Sequence, residues 1–304
     1  MGVMRLGYVH ARVTDLAEAK QHYQETMGLY PTLEEDGRVF FKSWDEWDHH
    51  SVVLEEGGVG AAKFGWKVQY DSDIDDIERK AVTFGCQVER MSAGENPEIS
   101  DGIRILTPSA HVMEIYHDST QVGLELGTHN PEVFPRELVG IGVPALDHAL
   151  ITTEDVAQTE RFFHDVFGFY TTEKVNTESD GSGHTIASFM TGNNQVHQIA
   201  VLEGPQAKLH HFAFRLEDWS AVGRAADLLT MDDVPINLGP TRHGITRGTT
   251  VYFFDPAGNR NEVFAGGYLA MPDRPMIVWT PEQIGKGIFY HAREVNEGFT
   301  GVLT

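Results

Sequence analysis

The sequence predicts an α+β fold in which four βαβββ units pair into two domains. The first reason is recurrence. Asp15-Leu-Ala through Gly28-Leu-Tyr30 returns as Asp155-Val-Ala through Gly168-Phe-Tyr170, and Lys63-Phe-Gly-Trp-Lys-Val68 returns as His211-Phe-Ala-Phe-Arg-Leu216. Pro108 to Tyr116 returns as Pro256 to Phe264. The second reason is local pattern, since one helical stretch followed by short alternating runs recurs within each half. The third is length: 304 residues suffice for two domains with a core each.

The first two units, near 5–56 and 63–117, show the order with weak patterning. Asn130-Pro131 through Pro144 holds three prolines and two glycines and is read as a linker. The third unit is clearest. Ala145 to Ile151 alternates like a strand, and Asp155-Val-Ala-Gln158 is a capping box opening a helix that ends near Gly168. Strands are expected at Phe169–Val175, His184–Met190 and Val196–Leu202, separated by Ser179–Gly183 and Gly192–Asn194. In the fourth unit His211–Leu216 reads as a strand, Ser220–Leu229 as a helix, and Thr249–Phe254 with Asn261–Ala265 as a closing hairpin. A tail begins near Arg274, with Thr280-Pro-Glu-Gln283 as a helix start. The expected domains are 1–130 without metal and 145–273 with the catalytic site, the tail 274–304 lying near that site.

Composition excludes several classes. Hydrophobic content of 41% and charged content of 22% fit a globular protein rather than a disordered one. No apolar run is long enough for a membrane span, and the N-terminal stretch lacks the marks of a secretory signal. Cys86 is the single cysteine, read as a small buried hydrophobe, so no intrachain disulfide forms and a cytoplasmic location is expected. A net charge of −22 repels phosphate backbones and anionic lipid, which excludes nucleic acid and membrane surfaces as partners.

The recurrences also locate chemistry. At equivalent positions the second half presents His148, His211 and Glu262, and the first half Tyr8, Lys63 and Glu114. Two imidazoles and a carboxylate form the facial triad of non-haem Fe(II) sites. Tyr and Lys hold such an ion poorly, so the first half reads as a degenerate copy in which Lys63 pairs with Glu114. Strand alternation sets His211 on the face of Ala213, and His210 with Phe212 and Phe214 on the face that packs against a helix. If Asp255–Asn259 is the hairpin loop, Tyr252 falls opposite Glu262. A lone histidine is more often structural, and that reading is given to His10, His22, His49, His50, His111, His117, His129, His164, His184 and His291.

Leu209-His-His211, Gly239-Pro-Thr-Arg-His-Gly244 and the run Tyr252-Phe-Phe-Asp-Pro-Ala-Gly-Asn-Arg-Asn-Glu-Val-Phe264 resemble the extradiol ring-cleaving dioxygenases of the vicinal oxygen chelate superfamily. The similarity covers nearly the whole chain. It implies the glyoxalase, bleomycin-resistance and dihydroxybiphenyl dioxygenase fold, with Fe(II) held by His148, His211 and Glu262. It implies His197 as acid–base residue, His243 and Tyr252 as hydrogen-bond partners of substrate oxygens, and a pocket lined by Phe189, Ile245, Thr246, Ile288 and Phe299. Ile245 and Arg247 depart from a close relative, which has Leu and His there. The implied partners are O2 and catechol or its alkyl or chloro derivatives, cleaved beside the diol to 2-hydroxymuconate semialdehyde, in a homotetramer. Two neutral imidazoles and one carboxylate leave Fe(II) a single positive charge, which a catecholate monoanion neutralises. Three other readings stay open: Mn(II) in place of iron, a metal-free module that sequesters an aromatic compound, and a glyoxalase-like Zn or Ni isomerase.

Overall fold

A computed structural model describes residues 2–304. The first half runs β1 (Val3–Val13), α1 (Leu16–Gln21), β2 (Tyr30–Glu35), β3 (Arg38–Lys42), β4 (Val52–Glu56), β5 (Gly60–Val68), α2 (Ser72–Phe84), β6 (Gln87–Met91), β7 (Gly102–Leu106) and β8 (Val112–Tyr116). The second runs β9 (Ala145–Thr153), α3 (Val156–Phe162), β10 (Tyr170–Asn176), β11 (Thr185–Thr191), β12 (Ile199–Glu203), β13 (Lys208–Arg215), α4 (Trp219–Met231), β14 (Ile236–Arg242), β15 (Gly248–Phe254) and β16 (Arg260–Gly266). The tail adds β17 (Ile277–Trp279), α5 (Ile284–Ile288) and α6 (Glu297–Gly301). None of the described helices is long and apolar enough to cross a membrane.

Two mixed sheets result, ordered β2-β3-β4-β1-β5-β8-β7-β6 and β14-β15-β16-β13-β9-β12-β11-β10-β17. Read from β10 to β14, the second repeats the order of the first. In each unit the first strand lies parallel to the last: β1 with β4, β5 with β8, β9 with β12, β13 with β16. A parallel neighbour requires a crossover, and the helix after each first strand provides it. Asp15 and Asp155 start two of these helices by accepting from backbone N–H groups of the first turn. Each of the two then widens into one π turn, His22–Thr26 and Phe163–Phe167.

Several details differ from the sequence reading. The strand expected at Val196–Leu202 starts only at Ile199. β14 was not anticipated because Pro240 interrupts its apolar pattern, and such a residue is tolerated because β14 is an edge strand. β17 extends the opposite edge, parallel to β10. Thr280 caps a short helical turn with Pro281 at its first position, but its side chain makes no cap hydrogen bond.

One apolar core runs through both sheets. The π turn of each half docks on the other half. Phe163, Phe167 and Phe169 pack edge-on around Trp66, with ring centroids 5.5–6.3 Å away. Tyr23 stacks on Phe212 and donates to Asp255 at 3.0 Å, while Asn261 donates to Tyr23 at 3.1 Å. Trp66 is fully buried in this seam. Trp66→Ala therefore lowers unfolding free energy by about 3–5 kcal/mol, read from the denaturant midpoint. A midpoint shared with the unsubstituted protein would show that the seam carries little of the stability.

Candidate metal centre

His148, His211 and Glu262 stand on β9, β13 and β16, three adjacent central strands. Ala213 pairs with His148 on one side and with Glu262 on the other. Its small side chain, two residues from His211, leaves room above the sheet where the three larger groups converge. His148 Nε2 is 3.1 Å and His211 Nε2 3.0 Å from Glu262 Oε2, and the three ligand atoms lie within 4.8 Å of one another.

Hydrogen bonds set which ring nitrogens face this point. His148 Nδ1 donates to Asp147 Oδ2 at 2.7 Å, so Nε2 is the nitrogen that faces Glu262 and offers a lone pair once its proton gives way to a cation. His211 Nδ1 lies 2.6 Å from Nδ1 of His210, whose Nε2 donates to the Phe299 carbonyl at 2.8 Å. That makes His210 Nδ1 an acceptor and His211 Nδ1 the donor, so His211 Nε2 also presents a lone pair. This nitrogen is buried and without a hydrogen bond, although Glu262 Oε2 lies 3.0 Å away, because on this tautomer both atoms are acceptors.

Burial disfavours charge on all three groups. Contacts with His211, His148 and His243 nevertheless hold the Glu262 carboxyl well below its ordinary range. Burial takes His211 down to about 4, whereas hydrogen bonds to Asp147 and Glu262 overcome burial and push His148 up to about 9. The cluster thus holds a buried carboxylate that calls for one positive charge among its ligand atoms. A divalent cation fits both that charge and the inward lone pairs.

An apolar cavity of about 290 Å³ opens above the cluster. His148, His197, His211, His243, Tyr252 and Glu262 line it, as do Phe189, Ile245, Thr246, Ile288 and Phe299, so every site residue implied by the resemblance reaches the same space. Tyr252 is opposite Glu262, the register expected from the hairpin. His243 Nε2 is 2.9 Å from the Tyr252 hydroxyl and 3.8 Å from Glu262 Oε1, and its Nδ1 is tied to the Ile288 carbonyl. Burial, then the Glu262 charge, keeps the Tyr252 phenol well above its ordinary value. The His197 ring sits 4.0 Å from that of His148, and burial, then His148, holds it well below the usual histidine range.

One expectation fails. Strand alternation turned His210 away from His211, yet His210 lines the same cavity. A register shift between Leu209 and His211 interrupts the alternation and lets both imidazoles meet. Thr250, donating to Glu262 Oε1 at 2.5 Å, was also missed, although its alternation with Tyr252 signals a shared face. In the first half Lys63 Nζ reaches Glu114 Oε1 at 3.1 Å as expected, and Arg104 adds two bonds of 2.9 and 2.7 Å.

Residues 145–263 match the Glyoxalase/Bleomycin resistance protein/Dioxygenase superfamily, and residues 63–120 a Catechol 2,3-dioxygenase-like N-terminal domain. A metapyrocatechase of Pseudomonas sp. (strain CF600) is 41% identical, covering 100% of this chain and 99% of its own. A manganese-dependent 2,3-dihydroxybiphenyl 1,2-dioxygenase of Geobacillus genomosp. 3 is 26% identical over 97% and 96%. Among solved structures, the 2,3-dioxygenase LapB from Pseudomonas sp. KL28 superposes with TM-score 0.88 at 38% identity, covering 92% of this chain and 98% of its own. A mutant of homoprotocatechuate 2,3-dioxygenase from Brevibacterium fuscum gives 0.89 at 26%, covering 99% and 82%.

The loop that carries His243 and Ile245 is held from below by Glu173. This buried carboxylate accepts from Thr246 N at 2.7 Å, Tyr268 at 2.9 Å and Trp279 Nε1 at 2.6 Å. Burial raises its pKa despite these donors. Thr246 and Arg247 both have positive φ, 62° and 60°, a conformation that side chains disfavour. Glu173→Ala orphans three donors and releases the strained turn, costing about 2–4 kcal/mol. Thermal unfolding measures it, and an unchanged transition would mean the loop is held by other contacts.

Proposed function

The chain belongs to the extradiol dioxygenases of the Glyoxalase/Bleomycin resistance protein/Dioxygenase superfamily, and on that premise we propose that it is a catechol 2,3-dioxygenase, cleaving the aromatic ring beside the diol with O2. The observation that carries this reading is the convergence of His148, His211 and Glu262 at the floor of an apolar cavity of about 290 Å³. These three would hold Fe(II), and Mn(II) fits the same donors, as the manganese-dependent relative illustrates. When bound, the metal supplies a Lewis acid and an electron relay between diol and O2.

The chain's own residues do the rest. Tyr252 stays protonated and donates, and the Nε2 lone pair of His243 accepts, so together they hold and exchange a proton at a substrate oxygen. His197 is neutral near pH 7 and would take up and return a proton at a ring nitrogen beside His148. Phe189, Ile245, Ile288 and Phe299 exclude water and flank the ring. The reading makes 1–130 a metal-free scaffold, 145–273 the catalytic domain and 274–304 its roof. It extends to a homotetramer, supported by exposed Val133, Phe134 and Val139 between the halves. A cytoplasmic location is supported by the lone Cys86.

Protein loaded anaerobically with Fe(II) consumes one O2 per catechol and forms a yellow ring-opened product; an intact ring, or cleavage between the hydroxyls, rejects the reading. His148→Ala loses the metal. His197→Ala keeps it while kcat falls by about 10²–10⁴, and unchanged turnover would remove His197 from the reaction.

The cavity wall selects against charge. None of the described residues that line it is Lys or Arg, so an anionic ring substituent would be desolvated without a cationic partner. A catechol bearing a carboxymethyl group is therefore cleaved with kcat/KM about 100-fold or more below catechol. Equal values for the two would show that the substituent stays in water.

A further inference from the structure

We infer that the C-terminal tail and the metal stabilise each other, with His210 as the positioning residue between them. The inference rests on the proposal that His148, His211 and Glu262 hold the metal. It starts from a chain of three groups: the Phe299 carbonyl, His210 and His211. The carbonyl can only accept, so His210 carries its proton on Nε2 and offers a lone pair at Nδ1. His211 then carries its proton on Nδ1 and turns the Nε2 lone pair to the metal position. A backbone oxygen of the tail thereby dictates the tautomer of a ligand two groups away.

The tail is docked for this on three sides. Thr304 and Leu209 exchange backbone hydrogen bonds of 2.9 and 2.8 Å, one residue before His210. Arg260 is buried beneath the tail and donates to the Gly298 and Val302 carbonyls at 3.1 and 3.0 Å, and to the His210 carbonyl at 3.3 Å. Its guanidinium stacks 5.2 Å from the Phe299 ring, whose edge meets the His210 ring at 4.7 Å. When the tail undocks, His210 loses the acceptor that fixes its proton. The alternative tautomer then turns an N–H toward His211 Nδ1, which drives the His211 proton to Nε2 and blocks the metal-facing nitrogen. Because coupling between two binding events is reciprocal, whatever the tail adds to metal affinity the metal adds to tail docking.

The test uses the full chain and Mn(II), free metal being counted by its EPR signal. His210→Ala weakens Mn(II) binding about 10–100-fold. In the unsubstituted protein, saturating Mn(II) slows hydrogen exchange at the Phe299, Thr304 and Leu209 amides, and in His210→Ala this dependence on metal disappears. His148→Ala reports on the site itself. If His148→Ala loses Mn(II) while His210→Ala binds like the parent, the tail coupling is wrong and the metal site stands. If His148→Ala binds Mn(II) like the parent, the site and the coupling fall together. Tail amides that ignore Mn(II) in the unsubstituted, metal-binding protein overturn the coupling even if His210→Ala fails to fold.

Discussion

A carboxylate buried in the middle of a sheet must be met by positive charge, and the two halves of this chain meet it differently. Glu114 is satisfied from within, by the Lys63 ammonium and the Arg104 guanidinium. Glu262 occupies the corresponding place in the second sheet but faces imidazoles, which can be neutral. One half therefore closes its electrostatics permanently, and the other leaves a charge for a proton or a metal to supply. The chemistry of the protein depends on that difference, because an ammonium in place of His211 would occupy the position and end it.

Holding such a charge also demands a rigid floor. The three ligand-bearing strands are adjacent in the sheet and flanked by further strands on both sides, so each is paired along both edges. Each ligand is fixed by a neighbour: Asp147 for His148, His210 for His211, Thr250 for Glu262. Each neighbour leaves its ligand an atom for the metal position, which keeps the cluster ready to bind. The helix turns that cross between the halves pack against each other's sheets, so the first half contributes to this rigidity without contributing any of the three clustered side chains.

What the sequence reveals follows from periodicity. The pairing of Tyr252 with Glu262 was legible because a hairpin's register is fixed by its loop, and His148, His211 and Glu262 because duplication marks equivalent positions. His210 was misplaced because a bulge leaves no trace in alternation, and a one-residue shift moves a side chain across the sheet. β14 was obscured by Gly239-Pro240, and β17 by being only three residues long. The docking of π turns across the halves was invisible for another reason. It joins residues far apart in the chain through aromatic contacts that carry no local pattern.

Floor and roof of the cavity consequently have different origins. The floor comes from repeated strands, whose geometry is dictated by backbone pairing and is hard to alter. The roof comes from parts that the repeat lacks or distorts: the tail, and the loop of His243 to Arg247 with its two positive-φ residues. Roof segments are held by the side chains of Glu173 and Arg260 and by short backbone links, such as those from Gly244 N and Ile245 N to the Gly287 carbonyl, rather than by a long ladder. Ile245 and Ile288 lie on these segments, so the shape that meets a ring substituent can change without disturbing the triad. His243 also lies there, bonded at one nitrogen to the tail and at the other to Tyr252 of the floor. On the proposed reading, proton handling at a substrate oxygen therefore needs roof and floor together, because His243 stands on one and Tyr252 on the other.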